Sequence, residues 1–237
     1  MNVEEIRKLE EQKEEARLQI VLAHMEAGVS FVDWKNVYID AEVQIGAGTK
    51  IGFGVSLEGK TNIGTNCMIG NHSRILDSTI DDEAEVQFSV ITKSKVGART
   101  KVGPFAYLRP DSFIGKDAKV GDFVEVKNST IGDGAKASHL TYIGDSDVGD
   151  RVNLGCGVVF VNYNGSSKSR SIVEEDAFIG CNSNLVSPVC VGKGAYVAAG
   201  TTITEDVPAG ALCIGRSRSV IQKGWVAKRG ILKKKDK

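Results

Sequence analysis

An apolar residue recurs every six positions through most of this chain. The series runs Ile39, Ile45, Ile51, Leu57, Ile63, Ile69 and Ile75, resumes at Val96, Val102, Leu108, Ile114, Val120 and Val126, returns at Val148 and Leu154, and closes with Val173, Ile179, Leu185, Val191, Val197 and Ile203. A helix repeats near 3.6 residues and a strand near 2, and a hairpin sheet has no reason to hold a step of six. The rhythm therefore implies a solenoid whose turns bury one another. Glycine often follows the anchor (Gly46, Gly52, Gly64, Gly70, Gly97, Gly103, Gly115, Gly121), and a small or β-branched residue stands four positions after it (Val43, Thr49, Val55, Thr61, Cys67). Those two positions are an even number apart on an extended path, so both point inward, while glycine supplies the backbone angles of corners. Such an interior is narrow and fits a chain with 27 glycines in 237 residues and only 6% aromatics.

This pattern resembles the hexapeptide repeat, and the resemblance implies an all-β fold, a single-stranded left-handed parallel β-helix with three hexads per triangular coil. The handedness comes from the resemblance alone, since parallel crossovers are otherwise right-handed. Residues 36–207 would make roughly nine coils, a prism on the order of 45 Å long at the usual strand spacing. The step wanders from Leu76 to Lys95 through Ile80, Val86 and Ile91, and it breaks at Val161–Ser171, where Ser166 stands in an anchor position among Asn, Gly and Ser. A prism accepts an insertion only at a corner, so 161–171 is expected as an exposed loop, a common home for function.

The ends differ from the middle. Residues 1–35 read as a linker-like segment, with a helix over 3–25 whose Leu18, Leu22 and Met25 follow i, i+4, i+7 and which Gly28 ends. That helix would cap the first coil. Residues 208–237 form a basic tail: from Ile214 onward there are nine basic residues and one acid, Asp236. Aromatic platforms for a nucleic acid are missing there apart from Trp225, and attraction for a phosphorylated ligand is the better reading.

Other classes fall away on charge and thiols. Thirty Lys and Arg balance thirty Asp and Glu, no apolar run approaches the ~20 residues of a membrane span, and the acidic start is unlike a signal peptide. Cys67, Cys156, Cys181, Cys190 and Cys213 are odd in number, with no CxxC; reduced cytoplasmic thiols are expected, with Cys67, Cys156 and Cys190 as small apolar fillers.

The central third is more specific. It reads Val102-Gly-Pro-Phe-Ala-Tyr-Leu-Arg-Pro110, Gly121-Asp-Phe-Val-Glu-Val-Lys-Asn-Ser129, Lys136-Ala-Ser-His-Leu-Thr-Tyr-Ile-Gly-Asp145, Val152-Asn-Leu-Gly-Cys-Gly157 and Val161-Asn-Tyr-Asn-Gly165. From about Ala27 to Arg229 it resembles the acetyltransferase half of the bifunctional N-acetylglucosamine-1-phosphate uridyltransferase / glucosamine-1-phosphate N-acetyltransferase family. The resemblance implies an acyltransferase that moves acetyl from acetyl-CoA directly to the nitrogen of glucosamine 1-phosphate, a step in UDP-N-acetylglucosamine and cell-wall precursor biosynthesis.

An amine attacking a thioester must lose a proton, and an imidazole is the side chain suited to taking it near neutral pH. His139, one of three histidines, lies in the matching motif and is by resemblance the general base, with Glu125 and Asn162 orienting or supporting it. The resemblance gives the phosphosugar to Arg109, Lys127 and Tyr142, with Asn153 and Tyr163 completing the pocket. It gives acetyl-CoA to Cys156, Asn162, Tyr163, Cys181, Ala199 and Arg216, the last suited to a CoA phosphate. It implies no metal for this half and a homotrimer with active sites between prisms.

Departures mark where the acceptor could differ. The family has Arg at Tyr107, Ala at Cys156, Ser at Cys181 and Asp at Asn164. The uridylyltransferase half, with its Gly-rich loop, is not expected within this length, so the chain is either a single-function relative or part of a longer protein, and a separate uridylyltransferase would be a partner. Three other readings stand beside the first: transfer to another amino sugar or nucleotide sugar, a noncatalytic scaffold, and a zinc carbonic anhydrase, which requires three converging histidines where only His72 and His139 lie in the repeat.

Overall fold

The computed structural model describes residues 1–230, and within them the chain winds into three parallel sheets of 11, 10 and 9 strands. Neighbours in the sheets are three strands apart in sequence, except that Tyr196–Val197 pairs with Leu212–Cys213 two strands on, the last turn having only a Val191–Val207 bridge on its third side; each turn thus contributes one short strand to each wall of a three-sided column. This is the left-handed parallel β-helix, of about ten turns. We call the walls first, second and third in the order the chain visits them; Lys50–Ile51, Ser56–Glu58 and Asn62–Ile63 are one such visit.

The anchors fill the interior. Ile51, Leu57, Ile69, Ile75, Leu108, Val120, Val126, Ile179, Leu185 and Val197 are fully enclosed, and the small residues four positions on, including Thr49, Val55, Thr61, Cys67, Ser73 and Thr100, are buried with them. Thr49 shows how a buried hydroxyl is satisfied by corner backbone, its Oγ1 donating to the Gly64 carbonyl (2.9 Å) and accepting the Cys67 N–H (3.0 Å); the Ser73 hydroxyl is enclosed without a partner. Apolar burial supplies the driving force and these bonds remove the penalty for enclosing a polar group.

Several expectations are refined. The wandering stretch 76–95 continues the coil: Thr79–Ile80, Glu85–Val86 and Val90–Thr92 are wall strands. The anchor step shortens to five between Ile75 and Ile80, between Val86 and Ile91, and between Ile91 and Val96, where one residue in the left-handed region, Asp77 (φ 47°), Phe88 (φ 43°) or Lys93 (φ 45°), turns each corner. The sheets also begin at Ser30–Phe31 and end at Leu212–Cys213, beyond both ends of 36–207.

Cys67 is a core filler, but Cys156 and Cys190 are only half-buried. Cys190 alternates with the inward Val189 and Val191, and Cys156 sits at a corner.

The N-terminal helix spans Val3–Glu26, opened by a capping box in which Asn2 accepts the Glu5 N–H and Glu5 accepts the Asn2 N–H. Its buried contact is Val21, flanked by the partly buried Ile20 and Met25; Leu22, expected on the buried stripe, is exposed. The tail carries a short helix, Trp225–Lys228. Four of its expected basic residues, Lys233, Lys234, Lys235 and Lys237, lie outside the described residues.

Leu108 points into the column and its neighbour Tyr107 points out. Leu108→Ala should lower unfolding free energy by roughly 2–5 kcal/mol and Tyr107→Ala should change it by less than ~0.5 kcal/mol; urea titration followed by circular dichroism measures both.

Candidate functional site

The site residues fall along two lines. The first follows the corner where the chain leaves the first wall. Parallel pairing there sets Asp122 directly against His139. The next rungs pair Leu154 with Ile179 and Ile179 with Val197, which carries the column on from His139 to Cys156, Cys181 and Ala199. Arg216 follows at the top, its Cδ beside Gly200. The imidazole is more than half exposed, and its Nδ1 lies 2.5 Å from Asp122 Oδ1. That hydrogen bond holds the Asp122 carboxyl below its ordinary value. Phe123 (φ 55°) and Leu140 (φ 47°) turn the corner immediately after each member of the pair.

The second line follows the second wall and its far corner. Glu125, Val126 and Lys127 pair with Tyr142, Ile143 and Gly144, so Glu125 stands over Tyr142. Arg109, on the preceding turn, donates from Nη1 to Glu125 Oε1 at 2.8 Å. At the corner, Asp145 is 7% exposed and accepts from Lys127 Nζ (3.2 and 3.3 Å) and Asn128 Nδ2 (2.6 Å), and from Asn162 Nδ2 in a short hydrogen bond. Burial pushes its carboxyl up, but these bonds and the Lys127 charge outweigh burial and hold it below the usual carboxylate range. Asn162 Nδ2 also approaches the Tyr142 hydroxyl, at 3.5 Å.

The insertion grows from this corner as a small hairpin. Tyr163 bridges to Lys168, and Asn164 Oδ1 accepts the N–H groups of Ser166 (3.0 Å) and Ser167 (2.9 Å). Arg170 ties down its far end on Asp147 and the Asn128 carbonyl. The hairpin brings Lys168 against Lys127, and the adjacent ammonium lowers the Lys168 amine below its ordinary value, with Arg109 contributing in the same direction. Lys127 and Lys168 thus gather at one enclosed carboxylate, with Arg109, paired to Glu125, acting on Lys168 from beside them, an arrangement suited to a polyanionic oxygen group.

The expected residues are therefore brought together in two groups. His139, Cys156, Cys181, Ala199 and Arg216 share the first corner, and Arg109, Glu125, Lys127, Tyr142, Asn162 and Tyr163 share the second wall and its corner. Asn153 stands apart from the second group, on the first wall in register with Lys136. Of the expected supports of His139, Glu125 bonds Arg109 and Asn162 bonds Asp145, and the side chain that hydrogen-bonds the His139 ring is Asp122.

Asp122, Asp145 and Lys168 were not singled out by sequence reasoning. The signal for the first two was the coil length: Asp122 and His139 are 17 residues apart, Lys127 and Asp145 18. His72, the other repeat histidine, belongs to an exposed aromatic ridge on the same corner, with ring centroids 4.7 Å from Phe53 and 5.9 Å from Phe88.

Fold and site define a hexapeptide-repeat protein. The family described as "Bacterial transferase hexapeptide (six repeats)" matches residues 42–77. Solved UDP-N-acetylglucosamine acyltransferases share the architecture at low identity. That of Francisella novicida aligns with a TM-score of 0.56 at 15% identity, over 82% of this chain and 72% of that one. That of Campylobacter jejuni aligns at 0.54 and 18%, over 84% and 77%.

The sequence relationship is much closer to another protein. The chain is 51% identical to the Bifunctional protein GlmU of Alkaliphilus metalliredigens over 99% of this chain and 51% of that protein. It is 55% identical to that of Clostridioides difficile over 93% and 48%. The chain spans about half the length of the curated relatives it matches, and its similarity to GlmU runs over that half.

Asp145 should set a pH-dependent part of the stability. A carboxyl whose folded pKa is depressed stabilises the fold above its unfolded pKa of ~3.9, and that contribution is lost as pH falls through the folded value. Asp145→Asn should cost about 1–3 kcal/mol at pH 7, and the difference from wild type should shrink below about pH 4. Urea unfolding at pH 7, 4 and 3 measures it.

Proposed function

We propose that the chain is an acetyl-CoA-dependent N-acetyltransferase that converts glucosamine 1-phosphate to N-acetylglucosamine 1-phosphate, supplying UDP-N-acetylglucosamine and cell-wall precursor synthesis. The observation that carries this is the cation set Arg109, Lys127 and Lys168 on the wall next to the corner that holds the exposed His139 imidazole against Asp122. The half-length relationship to GlmU and the transferase hexapeptide match agree with it.

In this reading the sugar phosphate is held by Arg109, Lys127 and Lys168, and Tyr142 and Tyr163 close the pocket. The acceptor amine is directed at the corner, and acetyl-CoA lies along the column Cys156, Cys181, Ala199 and Arg216. The amine nitrogen attacks the thioester carbon, His139 Nε2 takes the amine proton, and the C–S bond breaks as the tetrahedral intermediate collapses to amide and CoA thiol. No metal enters this step.

Self-association belongs to the same proposal. Phe53, Phe88, Phe105 and Phe123 are exposed along the first corner, with successive contacts of 5.8 and 5.5 Å from Phe88 to Phe105 to Phe123. An apolar ridge of that length favours burial against another copy, and a homotrimer would place its neighbours beside His139. The protein is placed in the cytoplasm, a reducing compartment that suits its five free thiols. A separate or tethered uridylyltransferase would take the product.

Thiol release from acetyl-CoA with glucosamine 1-phosphate, beside glucosamine 6-phosphate, tests the reading. The 1-phosphate should be the better substrate, and His139→Ala should lower kcat by ~10²-fold or more. Arg109→Ala should chiefly raise the acceptor KM. Preference for another amino sugar would replace the acceptor; no thiol release with any of them would leave a scaffold.

A further inference from the structure

We propose that Asp122 is the positioning residue of the catalytic imidazole: its carboxylate holds the Nδ1 proton of His139, so that Nε2 faces the acceptor as the base. The proposal rests on the acetyltransfer reading and adds to it a residue outside the set that the family resemblance supplied.

Three observations carry it. The first is contact: Asp122 Oδ1 and His139 Nδ1 are 2.5 Å apart. One imidazole nitrogen is thereby committed to a carboxylate, and the tautomer of the neutral ring follows, because the nitrogen facing the carboxylate carries the hydrogen and the other keeps its lone pair.

The second is local architecture. Strands of the first wall are two residues long except for Lys119–Asp122 and Lys136–His139, which have four each. The two extra residues carry the ladder outward to this pair, and the Leu140 N–H donates to the Asp122 carbonyl at 2.9 Å just past it. Gly121 makes the extension possible, because a Cβ there would collide with the Ser138 carbonyl.

The third is competition among partners. The other acid near the reaction zone, Glu125, is bound by Arg109, and Asp145 is saturated by Lys127, Asn128 and Asn162. Asp122 is the carboxylate placed to respond to the imidazole.

The charges around His139 set the sign of the effect. On the preceding rung are Asp122 and Lys119, on its own strand Lys136, on the following rung Asn153 and the Cys156 thiol, and around the corner Glu125, Tyr142 and Arg109. Asp122 alone among them contacts the ring. Its negative charge stabilises the imidazolium that forms when the amine proton arrives.

Asp122→Asn keeps the shape and removes the charge. We expect kcat to fall about tenfold or more with both KM values within about twofold, because neither substrate is touched.

A second measurement requires no substrate. Nitrogen-15 NMR of the whole protein should show the neutral His139 ring carrying its proton on Nδ1 in the wild type, and a mixture of both tautomers in Asp122→Asn. The same tautomer distribution in the two proteins, or wild-type kinetics in Asp122→Asn, overturns the proposal. A tautomer change in a protein unable to acetylate any amino sugar would uphold the pair and overturn the acetyltransfer reading instead.

Discussion

In-register parallel pairing is the interaction on which everything else in this molecule rests. Each turn presents its backbone N–H and C=O groups to the next turn at a spacing of about 4.8 Å, and the pairing is direct: Asp122 against His139, Glu125 against Tyr142, Ile179 against Val197. Residues far apart in sequence therefore become neighbours in a column, with positions set by the backbone. A site built this way is preorganised by secondary structure, which matters where a base must meet a reacting nitrogen within fractions of an ångström. The cost is tight packing of backbone against backbone at corners. At Gly46 and Gly97 even a methyl group would strike the peptide of the next turn, at Gly64 and Gly115 respectively, so glycine there reflects steric exclusion.

Much of this could be read from the chain. The anchors and the small residues that follow them define the interior, and both sets are buried in the structure. Family motifs pointed to the imidazole and to the first corner. What stayed hidden depends on corners. A turn holds 16 residues between Glu58 and Arg74, 17 between Asp122 and His139, 18 between Lys127 and Asp145, and 25 between Arg151 and Asp176, where the hairpin is inserted. A count of hexads slips by one or two residues at each short corner, so the vertical partner of a given side chain is lost. Ala137 also hid one rung, being an inward anchor too small to stand out from its polar neighbours. Asp122 was visible as a letter within a motif but invisible as a neighbour.

The two site lines differ in their electrostatics, and the difference follows from where they sit. On the second wall the acid Asp145 is enclosed at a corner with three donors, so it serves to anchor Lys127 and Asn162 rather than to exchange protons. Its charge also offsets part of the mutual repulsion of Lys127 and Lys168, which lets the hairpin rest against the wall without an anion present. A phosphate arriving there would meet cations already aligned, with one positive charge not balanced by Asp145.

On the first corner the balance is reversed. His139 and Asp122 are both open to solvent, at 55% and 36% of their side-chain surface, where a hydrogen-bonded pair is weakened by water and counterions. In the free column the pair is thus a poor store of energy and a good orienting device. Its strength would rise if water were displaced from the corner, because excluding water lowers the local dielectric and strengthens the attraction between a carboxylate and an imidazolium. The apolar ridge of Phe88, Phe105 and Phe123 runs up to this pair, so whatever covers the ridge also changes the surroundings of the pair. The exposure that makes the pair look weak in one chain is therefore what makes it responsive to a covering surface.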